Sequence, residues 1–442
     1  MGSGAGVLLA GLGATGCGGA AAGSHAAAAA SPGDAPYAAL GQLGRVLVDI
    51  ENEYVDPVDR ARLVDGAIAG MVSGLDPHSS YMPPDEFAAF QNDTQGEFGG
   101  VGIEVETRGG ELIVLAPIEG SPAERAGVQS GDVIVGVDAA ELGSGTLDKI
   151  VKRLRGPAGT RVKLSVRRGS VEHVFDLTRE VIHVQSVASK LLVDRVGYVR
   201  VKQFQEHTHD ELLEAAGSLR AQAGGAPLAG LVLDLRSDPG GLVDQAAEVA
   251  DELLDEGVIY TTRHRGAIVD EVKARSGGVL AGMPCVVLVD RYTASASELV
   301  AGALQDHRRA TIVGEPTFGK GSVQAIIALP GGAGMRLTIS RYYTPSGRAI
   351  QAEGVHPDVA VEAGGGGERG GRERDLEGHL AAESTGAAAA PPARSVVVEG
   401  DAGAPATPFT GKVAREVPDD PASGSDAVLK VGWQVLKQAM AR

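Results

Sequence analysis

The spacing of apolar positions changes period along the chain, and each change marks a new element type. From Tyr37 to Asp93, Leu40, Leu43, Val46, Leu47 and Ile50 recur at i, i+3 and i+4, which predicts an amphipathic helix. A second helix is expected over Arg62 to Met71, stopped by Gly74 and Pro77. From Gly96 to Arg179 the pattern shortens to strands: FGGVGIEVE, ELIVLAPI, GDVIVGVD, then TRVKLSVRRG and VEHVFDLTR as a hairpin. SPAERAG reads as a short helical link, and Thr146 as the cap of a helix with Leu147, Ile150, Val151 and Leu154 on one face. From Val181 to Glu362 unbroken apolar runs (GLVLDLR, PCVVLV, ATIVG) alternate with helical spacing, as in an α/β core. Periodicity then lapses into Gly, Ala and Pro, and returns at Ala427 to Met440 with Val431, Val435 and Leu436.

The expected division is therefore a leader at 1–35, a helical segment at 36–95, a strand-rich domain at 96–180 and an α/β core at 181–362. A disordered linker at 363–424 and a C-terminal helix at 425–442 complete it. The C-terminal helix is expected to dock on the chain or to pair between copies.

Composition adds exclusions. The formal net charge of −17 argues against nucleic acid and against an anionic membrane surface as partners. Two cysteines, Cys17 and Cys285, cannot form a disulfide framework, and Cys285 sits in an apolar run as an inert buried thiol. Val7 to Ala14 resembles a short signal h-region, too brief to span a bilayer. Ala14-Thr15-Gly16-Cys17 is similar to a lipoprotein processing site, which would put a lipid anchor on Cys17. A plain export signal is the competing reading. GLGATG at 11–16 matches a dinucleotide fingerprint by composition alone, with no βαβ unit around it. His78 has no second metal ligand at useful spacing and reads as a turn or packing residue. His207 and His209 read as a solvated helix entry rather than a zinc pair.

The chemistry concentrates in Val287 to Gln324, ordered as strand, hydroxyl-rich turn, helix, strand and lysine loop. A serine at a helix start has free backbone N–H groups and the positive end of the helix dipole beside it. Those are the parts of an oxyanion site. Thr293, Ser295 and Ser297 compete for the nucleophile. Ser295 is preferred because Ala294 and Ala296 leave room for a substrate carbonyl, with the Ala296 N–H aimed at it. A serine needs a base, and no histidine pairs with these hydroxyls. A lysine serves if burial keeps it neutral. Of Lys190, Lys202, Lys273 and Lys320, only Lys320 lies in a Gly-flanked loop directly after the serine–helix–strand unit.

Two resemblances follow from these residues. FGGVGI (98–103) with SPAERAGVQSGDVIVGVD resembles a PDZ domain, in which Gly100, Val101, Gly102 and Ile103 would receive a peptide's terminal carboxylate and its added strand. TASASELVAGALQDHRRATIVGEPTFGKGSVQ, LDLRSDPGGLVDQAAEVADELL, LDPHSSYM and GVHPDV resemble the carboxyl-terminal processing peptidases, or tail-specific proteases, over about Tyr37 to Glu362. The resemblance implies a crotonase/ClpP-like α/β protease core with an inserted PDZ domain and an N-terminal helical segment. It implies a serine endopeptidase with Ser295 as nucleophile, Lys320 as general base and Gln324 orienting the lysine. The oxyanion hole would be the N–H groups of Ala296 and Gly241. Substrates would be proteins with flexible, apolar C-terminal tails, and no cofactor or metal is needed. The family further implies PDZ movement on junctions near Gly96 and Arg179. The leader points to export to the bacterial cell envelope, and an adaptor or homo-oligomer stays open as a partner. The family often has asparagine where this chain has Ser237-Asp238; Asp238 near the oxyanion site would slow acylation or favour substrates with compensating charge.

Two rivals remain. GEPTFGKG (314–321) nearly matches a phosphate-binding loop, but Gly321 stands where a hydroxyl would hold magnesium, and a strand follows instead of a helix. A peptide-binding protein on a dead hydrolase core is the other.

Overall fold

The computed structural model describes residues 36–108, 110–138, 140–141, 147–363, 371–383, 394–398 and 417–442. The leader and the Cys17 processing site lie outside them. The chain divides into two compact units, Met1–Gly66 and Ala67–Arg442. In the first, the helix Pro36–Glu53 forms where the apolar spacing predicts it, and Arg60 pairs with Glu51. Its apolar face is not a core face, because Leu40, Leu43 and Val46 are exposed.

The second unit is built on a seven-stranded sheet in the order Val187–Leu192, Val196–Val201, Gly230–Asp234, Cys285–Val289, Thr311–Gly314, Val359–Ala363, Arg394–Val398. All neighbours run parallel except the first pair. The strands read as continuous apolar runs because both faces are covered. Leu231, Leu233, Val287 and Val289 pack among Leu212, Leu219, Val249, Leu299 and Val300 of the helices Thr208–Gln222, Val243–Asp251 and Ala296–Asp306. Alternate residues Val232, Val286 and Leu288 turn the other way, onto Leu429, Trp433 and Leu436 of the helix Ala427–Met440. The C-terminal helix thus docks on the second face of the core sheet. Asp426 caps it at Leu429 N–H and pairs with Arg236, itself bound to the fully buried Asp234.

Two pieces of the stretch expected as a disordered linker, 363–424, belong to this fold. Arg394–Val398 extends the sheet beside Val359–Ala363, and residues 371–383 hydrogen-bond to the core through Arg372, Glu373 and Glu383. Composition hid both, since neither piece has the helical or strand period that a half-buried element shows.

A second sheet joins Ser80–Met82, Ser322–Ala328, Gly334–Tyr343, Val258–His264 and Ala267–Lys273. The strand-rich domain is a sheet ordered Ile103–Arg108, Glu111–Pro117, Val133–Val137, Arg161–Arg168, Val171–Thr178, with Ala140–Glu141 paired to Val133–Val137 off that path. FGGVGIEVE is not one strand: Glu97–Gly100 pairs with Glu180–His183, and the chain turns at Gly102 (φ 74°) before Ile103. The entry and exit of the domain are therefore zipped together as one ribbon.

Candidate active site

Strand Cys285–Val289 ends in a turn ordered by Asp290, whose Oδ1 accepts the Tyr292 and Thr293 N–H groups. The three competing hydroxyls now separate. Thr293 Oγ1 donates to Leu235 O (2.8 Å) and Ser297 Oγ to Asp238 O (3.2 Å), and both residues are fully buried. Ser295 stands at the N-cap of the helix Ala296–Asp306 in a capping box with Glu298, and its hydroxyl proton is donated to no group among the described residues. Its backbone is held at φ 57°, ψ −117°, a conformation a non-glycine residue adopts only under external constraint.

The constraint comes from two sides. Ala294 N–H donates to Asp238 O (2.9 Å), tying the serine turn to the Ser237–Gly241 turn on the neighbouring strand. There Gly240 (φ 96°) lies so close that a Cβ on it would stand 2.8 Å from Ser295 Cβ and 2.9 Å from Ala296 N. Gly241 (φ 138°) bridges Phe204, where a Cβ would meet the Phe204 carbonyl at 2.0 Å. The N–H groups of Gly241 and Ala296 donate to nothing among the described residues. Asp238 is fully buried; its Oδ1 accepts Gly240 N–H (2.8 Å) and its Oδ2 has no partner. Burial pushes its carboxyl up to about 8, which favours the neutral form over the anion beside the oxyanion site.

On the other side is Glu298, fully buried one turn into the helix and absent from the sequence-based site. Its Oε2 accepts Ser295 N–H (2.8 Å) and Lys320 N–H (2.9 Å); its Oε1 accepts Gly319 N–H (2.8 Å) and the Thr317 hydroxyl. One carboxylate thus joins the serine turn to the lysine loop. The signal for it was present, since Ser295-Ala296-Ser297-Glu298 spells a capping box. The Lys320 amine is held below its ordinary pKa, chiefly by burial and then by the positive charge of Arg336. The charges of Glu373, Glu298 and Asp76 oppose this.

Gln324 lies on the strand that leaves this loop, and its amide nitrogen donates to Ser322 Oγ (2.8 Å) and Thr338 Oγ1 (3.4 Å) rather than engaging Lys320. His78 bonds Glu373 at 2.7 Å as a packing residue. His207 precedes the helix Thr208–Gln222, and His209 bonds Glu252 at 2.9 Å instead of facing solvent alone. Cys285 is buried, its thiol pushed up to about 12. In the strand-rich domain, Gly100 ends the ribbon and Val101 O accepts Ala123 N–H. Gly102 O accepts Ile118 N–H and the Ser121 hydroxyl. A Cβ on Gly102 would meet Ser121 Cβ at 2.2 Å, so only glycine fits. Among the described residues, Ile103 opens a strand paired on one side only, an edge on which a strand could add.

Residues 195–361 match peptidase family S41, residues 113–168 a PDZ domain, and residues 20–86 the activating protease CtpB N-terminal domain. The chain is 43% identical over 329 residues to a carboxy-terminal-processing protease of Bartonella bacilliformis, covering 74% of this chain and 76% of that protein. It is 34% identical over 336 residues to the carboxy-terminal processing protease CtpA of Bacillus subtilis, covering 75% and 70%. Among solved structures it is similar to a photosystem II D1 C-terminal processing protease, at 34% identity and a TM-score of 0.45, over 73% of this chain and 87% of that one. With an S41 core, a PDZ domain and an N-terminal domain in one chain, the protein belongs to the carboxy-terminal-processing proteases, serine-type peptidases of family S41.

Proposed function

We propose that this protease cleaves peptide bonds in the C-terminal region of its substrates through an acyl-enzyme, with Ser295 as nucleophile and Lys320 as general base. The observation that carries the reading is Glu298, which accepts the backbone N–H groups of both residues and so ties the serine turn to the lysine loop. The neutral amine takes the Ser295 Oγ proton as Oγ attacks the scissile carbonyl carbon. The carbonyl oxygen becomes an oxyanion facing the free N–H groups of Ala296 and Gly241. As the C–N bond breaks, the lysine ammonium returns its proton to the leaving amine. Water then attacks the ester, giving its proton to Lys320, which passes it to Ser295 Oγ as the C–Oγ bond breaks and the acid product leaves. Gln324 would orient the amine through its carbonyl oxygen, since its nitrogen is already engaged.

The PDZ domain would take the substrate's free, apolar C-terminus as a strand added to Ile103–Arg108, its carboxylate on the Gly100–Ile103 turn. The bacterial relatives and the leader composition support a place in the cell envelope. The test is hydrolysis of a protein with a free apolar tail, and of the same protein amidated, by wild type, Ser295→Ala and Lys320→Ala. Loss of the base should cost about 10²–10⁴-fold, and amidation should raise KM. Activity should rise with pH, because only the uncharged amine works, and the rise should centre below the ordinary lysine value. Full turnover by Lys320→Ala would remove the lysine from the mechanism.

A further inference from the structure

Lys320 sits between two glycines, Gly319 (φ 98°) and Gly321, which gives the base the least self-supporting backbone available. A base is useful only if its amine is held near the hydroxyl, where misplacement by about 1 Å can cost 10²-fold. Glu298 fixes the Gly319 and Lys320 N–H groups from one side. The other side is fixed from the segment at 371–383. Gly321 N–H donates to Gln351 Oε1 (2.9 Å), and Ala352 N–H donates to Gly319 O (2.8 Å). Gln351, fully buried, is held in turn through its own amide nitrogen, which donates to Glu373 Oε1 (2.7 Å) and Leu380 O (3.0 Å). Glu373 N–H donates to Phe318 O (3.2 Å), and Glu373 Oε2 bonds His78 Nε2 (2.7 Å). The segment's far end is anchored where Glu383 meets Arg341 and Tyr343.

A carboxylate at zero exposure is a costly way to fill space; an apolar side chain would fold there more cheaply. Its placement makes sense if it does work on the loop. We propose that residues 371–383 are a strap that completes the general base, with Glu373, acting through Gln351, as the positioning residue for Lys320. The inference rests on Lys320 being the base. The charge of Glu373 also favours the protonated form of the amine. The other charged groups acting on the amine are Arg336, Glu298 and Asp76. The strap therefore sets both the reach of the amine and the pH at which it becomes a base.

The test uses the full chain carrying Glu373→Ala, Glu373→Gln, Gln351→Ala and the Glu373→Ala/Gln351→Ala pair. Each is assayed for kcat and KM on a free-tailed substrate across pH, with active sites counted by a serine-directed phosphonate probe. The single alanine variants should lower kcat per active site about 10- to 100-fold with KM unchanged. The pair should be no worse than the worse single, because the two residues form one relay. Glu373→Gln should move the midpoint of the rising pH limb to lower pH, since the anion that favours charged lysine is gone. A strap that only adds stability would lower the melting temperature and leave kcat per site and the midpoint at wild-type values. That outcome, or additive losses in the pair, overturns the proposal. If Glu373→Ala does not fold, Glu373→Gln and Gln351→Ala carry the same readouts. Ser295→Ala and Lys320→Ala run alongside: an active Lys320→Ala sinks the base reading itself, whereas inactive controls with wild-type strap variants sink only the strap.

Discussion

Two buried carboxyl groups flank the serine, one in the Ser237–Gly241 turn and one under the lysine loop, and they are held in opposite ways. Asp238 accepts one backbone N–H and leaves its second oxygen without a partner; Glu298 accepts four donors. Both are fully buried, so desolvation raises both. Asp238 climbs from 3.8 to about 8, Glu298 only from 4.5 to about 7. The difference is the donor count, because hydrogen bonds to the charged form offset the burial penalty. At neutral pH the turn is therefore supported by a neutral acid, and the loop by a group poised to be an anion.

The same carboxyl-to-amide change should consequently give opposite results at the two places. The largest effect is expected for Glu298→Gln, which sets an NH₂ against N–H donors that have no other acceptor. Activity should fall on the order of 10²-fold and stability by about 2–3 kcal/mol, read by kcat and by denaturant unfolding. Near-normal activity would mean that the shared carboxylate does not hold serine and lysine together. A smaller effect is expected for Asp238→Asn, whose oxygen can keep the Gly240 N–H. Activity at pH 7 should stay within about threefold. The pH dependence of stability should change instead. A carboxyl raised in the folded state contributes stability fully present below 3.8 and lost as pH rises through about 8. Wild type should thus lose a few degrees of melting temperature between pH 7 and 9 that Asp238→Asn keeps. Equal melting curves at pH 9 would contradict a neutral Asp238. The smallest effect is expected for Asp426→Ala, far in sequence from either carboxyl. Loss of the cap and of the Arg236 pair should cost about 1–2 kcal/mol with kcat unchanged, separating support of the fold from support of the site.

Much of this was readable in the chain. GLVLDLR and PCVVLV read as buried strands because consecutive residues go to opposite covered faces. Ser295 read as a helix start because a polar turn follows an apolar strand and helical spacing follows the turn, while the Glu298 capping box was passed over. Other features resisted. The helix Pro36–Glu53 has a clear apolar stripe, yet periodicity reports an amphipathic face and not what covers it. Residues 371–383 looked like linker because their ordering comes from polar side chains reaching partners elsewhere. Glu373 alone bonds His78, 295 positions earlier, and no local pattern encodes such a contact.

The sequence by itself determined the α/β core and the PDZ block, and it singled out the serine turn and the lysine loop as the stretch to examine. Each of these is written in residues close together, through hydrophobic period, turn chemistry and motif. Only the tertiary structure decided which hydroxyls donate into the fold, that burial drives Asp238 toward its neutral form, and that the lysine loop is clamped by Glu298 on one side and Gln351 with Glu373 on the other. Those outcomes depend on desolvation and on hydrogen bonds between distant segments, which exist only once the chain has closed around them.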